Sequence, residues 1–217
     1  MNDNELKALW QSSQFQLQNS LLINQAHAES ITRLKVNHLL SSVKPAKIIL
    51  LVLGVLWVAV SGSFVVRQFI TAYQFFSPFF LYSLGLQLIL TAVAIVYYIY
   101  QLDLMRKVDF GQPVLSIQKK LTRLQLSTMQ VNRILFLQLP LWTTFYLHEG
   151  LFTMENSLFL IIQGLFTVSF TGLAIWLFFN IRYENRNKKW FRLLFNDDLE
   201  PVFKSMELLD QLEQQRD

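Results

Sequence analysis

Three histidines are the first residues to test for catalysis or metal binding, and their spacing suits neither. His27 and His38 lie eleven residues apart, not at the four-residue spacing that sets two imidazoles on one helix face, and His148 is separated from both by long apolar stretches. The absence of cysteine excludes a thiol nucleophile, a disulfide scaffold and any thiolate metal site. No serine sits in a nucleophile-elbow context, and the seven glycines fall singly, so no phosphate-cradling loop is present. The pair Asp197-Asp198 reads as a helix cap, with Asn196, rather than as a cation site. An embedded enzyme would have only His148, Glu149 and Glu155 to draw on at one membrane face, so the sequence is read as non-enzymatic, with no metal and no cofactor.

The remaining polar groups of interest lie in apolar surroundings. Gln87, Gln138 and Gln163 stand one on each of three apolar stretches and could line a polar path or a small-molecule site. Interhelical hydrogen bonds, worth about 0.6 kcal/mol each on average, are the commoner use of such residues. No Asp, Glu, Lys, Arg or His lies deep within an apolar stretch, which weighs against proton-coupled transport.

The elements that position these residues follow from composition. Of 217 residues 53% are hydrophobic and 16% charged, against roughly 25% charged in soluble domains, and the mean hydropathy is +0.32. An all-α integral membrane protein is expected. Four stretches fit a crossing helix: 48–66, 78–100, 131–148 and 157–180. Lys44-Pro45 and Pro78 stand where proline suits a first helical turn. The third stretch is short, since only residues 134–148 lie between Arg133 and Glu149, so either Arg133 snorkels or the segment returns to its own side. Charge decides for four crossings. Of the 19 Lys and Arg, only Arg67 falls outside when both termini are cytoplasmic. Five of the flanking cations, Arg182, Arg186, Lys188, Lys189 and Arg192, are candidates for contact with anionic lipid. Because topology already accounts for them, nucleic acid is not an expected partner. The opening Met1-Asn2-Asp3-Asn4-Glu5 lacks the basic region of a secretory leader, and the first apolar stretch is expected to remain in the mature protein.

The expected organisation is an antiparallel four-helix transmembrane bundle over 45–181, a cytoplasmic amphipathic arm over 1–44, a cytoplasmic helical loop over 101–130 and a basic, amphipathic helical tail over 182–217. Pro140 should kink the third helix, with Thr143 or Thr144 as partners for a freed carbonyl. Gly54, Gly62, Gly85, Gly164 and Gly172, with Ala59 and Ser63, read as points of close helix approach. In the loop, Ile117, Leu121, Leu124, Thr128, Val131 and Leu135 form a heptad seam, and a single helix is expected from about Pro113 to Leu147. In the tail, Leu199, Val202, Phe203, Met206 and Leu209 share a face, with Pro201 in the first turn. In the arm, Trp10, Leu17, Asn24 and Ile31 recur every seven residues, with Leu21 beside them, and Asn24 could fix the register of a coiled coil. These helices could pack on one another, or the arm could leave Trp10, Leu17, Leu21 and Asn24 for a partner.

Two stretches, Glu5-Leu6-Lys7-Ala8-Leu9-Trp10-Gln11 and residues 108–121 (VDFGQPVLSIQKKL), resemble segments of uncharacterised bacterial inner-membrane proteins with four predicted spans. The resemblance implies a bacterial cytoplasmic membrane and brings no activity or site. The expected function is anchoring or regulation of a membrane or cytoplasmic protein partner, or self-association as a homo-oligomer, through cytoplasmic helices. The alternative is a small channel or transporter subunit with its path past Gln87, Gln138 and Gln163.

Overall fold

A computed structural model describes residues 3–71, 73–109, 111–152 and 157–214, with the backbone alone at 3–6, 8–9, 11–12, 74, 149–150, 196–198 and 213. The fold is all-α, as the composition implies. Among the described residues six α-helices run in chain order: α1 (Asp3–Thr71), α2 (Pro78–Arg106), α3 (Val114–Phe136), α4 (Leu139–Thr144), α5 (Ser157–Asn180) and α6 (Lys189–Gln214). Among the described residues three helices are long and apolar enough to cross a membrane: α1, α2 and α5.

Helix α1 corrects one expectation. The arm and the first apolar stretch are a single helix of 69 residues, about 100 Å long, with Pro45 in its interior rather than at a start. An interior proline removes one backbone hydrogen bond and costs about 3 kcal/mol. Burial on both sides of it offsets that loss: Leu40, Val43 and Lys47 are all enclosed by neighbouring helices. The tail behaves in the same way. Helix α6 starts at Lys189, so Asn196-Asp197-Asp198 lies inside it and is no cap, and Pro201 is internal. Buried Leu199, Val202 and Leu209 hold that helix in place.

The third apolar stretch is also not one helix. Helix α3 stops at Phe136, and Leu137 and Gln138 donate to carbonyls three residues back instead of four, at 3.1 Å each. Proline explains the break, because Pro140 has no N–H to offer Phe136 and its ring crowds that turn. The chain nevertheless keeps its direction and follows α2 antiparallel. Val131 packs with Ala94 and Tyr98, Gln138 Nε2 donates to Thr91 at 3.0 Å, the Ser83 and Thr144 hydroxyls lie 2.7 Å apart, and Ser77 donates to the Leu147 carbonyl at 2.6 Å. The tighter turns rise about 2.0 Å per residue rather than 1.5 Å, so a broken segment reaches further than a straight α-helix of equal length. Thr143 and Thr144 bond the carbonyls of Pro140 and Leu141, at 2.7 and 3.0 Å, not a carbonyl freed one turn earlier.

The apolar helices pack in series: α1 on α2, α2 on α3 and α4, α4 on α5. The flanking helices α1 and α5 each have only 6% of their most apolar window buried, against 33% for the central α2. Of the glycines expected at helix contacts, Gly54 alone is close-packed, with Ile95 Cγ1 3.3 Å from where its Cβ would stand. Gly62, Gly85, Gly164 and Gly172 face open space because their helix sides have no neighbour in this chain.

A second core lies beyond the apolar layer. Val36, Leu40 and Val43 of α1, Leu104 and Met105 of α2, Ile117, Leu121 and Leu124 of α3, and Val202 and Leu209 of α6 form one cluster of four helices. The heptad seam of α3 is therefore filled from within the chain, and Thr128, its polar member, is buried with its hydroxyl on the Leu124 carbonyl. Arg33 ties α1 to the turn before α3 by donating to the Gln112 carbonyl at 3.3 Å, while Lys120 donates to Lys107 O at 2.6 Å and Gln112 Oε1 at 2.8 Å.

Candidate functional site

Support for α1 ends near Ala28. Toward the N-terminus every described side chain from Ser13 to His27 is exposed, so this stretch projects from the bundle as a lone helix. Trp10 is 65% exposed, Leu17 60% and Leu21 59%, and Asn24 lies open beside them. Phe15, Leu22 and Ile23, which the seven-residue spacing does not include, are exposed as well. The apolar surface of the arm is thus broader than one stripe, and the signal that would have found it is bulk apolar content rather than periodicity. An isolated helix of this length is marginal in water, and a helix without tertiary neighbours gains nothing from burying a face.

The three glutamines are not gathered into one site. Gln138 donates to the Thr91 hydroxyl, which itself donates to the main-chain carbonyl of Gln87 at 2.9 Å, so the Gln138 and Gln87 side chains are not joined. Gln163 turns elsewhere and donates to the backbone carbonyl of Thr143. Gln87 is 2% exposed, and its Oε1 is buried with no hydrogen-bond partner among the described residues.

A buried polar pair was not visible in the sequence. Lys47, one of the cations expected on the cytoplasmic side, is 1% exposed; its Nζ donates to Gln101 Oε1 at 2.6 Å and stands 5.6 Å from the centre of the Tyr98 ring. The i, i+3 offset of Tyr98 and Gln101 puts both on the face of α2 that α1 covers. No sequence window could show it, since the partners are 54 residues apart.

The five basic residues after α5 surround a turn that joins it to α6. Arg182, Lys188, Lys189 and Arg192 are exposed and Arg186 is half-buried. Arg133, near the end of α3, donates through Nε to the carbonyl of Ile181 at 2.8 Å, capping α5 with a cation where the helix dipole favours one. In the turn between α1 and α2, the Tyr73 phenol is pushed above its ordinary value, chiefly by its hydrogen bond with Tyr82. Among the described residues no three of His, Asp and Glu converge as metal ligands. His148 is exposed, and its sequence neighbour Glu155 lies outside the described residues. No family model matches this chain, and neither a curated protein nor a solved structure matches it.

Proposed function

We propose that this is a non-enzymatic, multi-pass protein of the bacterial inner membrane, with both termini cytoplasmic, that holds a protein partner or a second copy of itself through its N-terminal arm. The single observation that carries the reading is the arm itself, a helical continuation of an apolar helix that presents Trp10, Leu17 and Leu21 to solvent. Large exposed aromatic and aliphatic side chains in one patch mark interaction surfaces. Membrane residence is supported by the nearly unburied apolar windows of α1 and α5, which water would not tolerate. Four crossings are supported by the antiparallel course of 131–147 along α2, and by the basic residues that then fall on one side.

The test is light scattering and co-purification of the detergent-extracted protein, with and without Trp10→Ser, Leu17→Ser and Leu21→Ser combined. The expected result is an oligomer or stoichiometric companion in the unaltered protein that the triple variant loses, with Kd raised at least about 100-fold for removal of a central anchor. An unchanged complex would sink the proposal.

A second reading, a small passive channel or transporter subunit, draws on the unpartnered Oε1 of Gln87 inside the apolar layer. Solute flux in proteoliposomes should then fall when Gln87, Gln138 and Gln163 are all replaced by leucine. Flux that is unchanged by the triple replacement removes this reading.

A further inference from the structure

We propose that a cleft between the 183–188 turn and α6 binds the phosphate headgroup of an anionic phospholipid. The cleft has a volume of about 340 Å³; Arg186, Arg192 and Lys204 line it together with Phe195 and Phe203. The key group is Arg186. Its guanidinium lies 4.0 Å from the centre of the Tyr183 ring, and that ring rests on Phe203 at 5.8 Å. The ring contact steadies the guanidinium, whose planar fork suits two-point recognition of phosphate oxygens. Two carboxylates share the cleft, Glu200 and Glu207, and Lys204 already pairs with Glu200 at 2.6 Å. The two guanidiniums thus outweigh Glu207, and the site favours an anion.

Position selects the lipid as its source. Arg186 follows the last residue of α5, Asn180, by six positions, so a crossing α5 sets the cleft at headgroup depth. Trp176 of α5 packs against Trp190 of α6 with ring centres 4.9 Å apart and planes tilted by 57°, a ring pair suited to the same interfacial layer. A phenyl floor beneath the cations fits the glycerol and first methylenes of a lipid better than a free, fully hydrated phosphate. Cytoplasmic flanking charge accounts for the number of cations here, but not for an arginine held against Tyr183 at the edge of a cleft lined by Phe195 and Phe203.

The inference rests on the reading of α5 as a span and is independent of what the arm binds. The full-length protein, purified in detergent and stripped of lipid, would be titrated with phosphatidylglycerol, phosphatidylcholine and inorganic phosphate, with bound lipid counted by native mass spectrometry. Phosphatidylglycerol is expected to bind preferentially, and Arg186→Ala with Arg192→Ala to weaken it about 30-fold. Removing two exposed cations away from the cleft, Lys119→Ala with Arg123→Ala, should change binding less than about 3-fold if the site is local. Arg186→Lys keeps the charge but not the planar fork, and should itself lose affinity, which keeps the test open should the double variant fold poorly. Equal loss in both double variants, equal binding of phosphatidylcholine, or displacement by inorganic phosphate at matching concentration would overturn the proposal. Failure of the membrane reading shows separately, as release of the protein by alkaline carbonate washing.

Discussion

Gln101→Leu is expected to destabilise the protein by about 2–5 kcal/mol, because it removes the acceptor that Lys47 holds at 2.6 Å in a site with almost no water. The ammonium would keep the face of Tyr98, which replaces only part of a charge-assisted hydrogen bond. Lys47→Met should cost less, about 1–3 kcal/mol, since it takes the donor from a neutral amide oxygen. The two changes together should cost less than either sum predicts, as two apolar side chains can fill the space of a buried polar pair at little net loss. Unfolding midpoints of the two single variants and the double variant give the coupling energy directly. Strict additivity would show that the pair does not hold α1 to α2.

Leu121→Ala should remove about 2–5 kcal/mol from the helical core beyond the apolar layer. Leu121 is fully buried, in a cluster to which α1, α2, α3 and α6 all contribute, so truncation leaves a cavity that four helices would have to collapse around. Leu115, on the same helix and 68% exposed, is the control; its replacement by alanine should change stability by less than about 0.5 kcal/mol. Limited proteolysis of the purified protein reads both. Faster cleavage near the 107–113 turn in Leu121→Ala alone is the expected pattern, and equal rates in the two variants would show that the four helices do not fold as one unit.

The parts of the fold legible in the sequence are those written in local pattern. Pro78 and Ser157 begin α2 and α5 where the apolar stretches begin, and the α3 seam is buried at the heptad positions. Prolines misled in both directions. Pro45 and Pro201 look like helix starts, yet tertiary burial carries α1 and α6 through them, whereas Pro140, expected to kink a helix running to Leu147, ends it at Phe136. Local sequence gives the cost of an interior proline but not the packing that offsets it. The exposed arm residues were identifiable as an apolar stripe, although Phe15, Leu22 and Ile23 widen it in a way that a single period hides. The burial of Lys47 is not legible locally, because the partner that encloses it, Gln101, is 54 residues away along the chain.

The unbroken run of α1 has a mechanical meaning. From Ala28 to Asp3 the helix extends about 38 Å at 1.5 Å per residue beyond its last side-chain support. A rod of that length is a lever whose fulcrum is the packed stretch from Val36 to Lys47. A tilt of about 10° at its supported end sweeps the tip through about 6.5 Å, more than the rise of one helical turn. A small reorientation of the apolar half of α1 would therefore move Trp10 far enough to make or break a contact, without any refolding between the two ends.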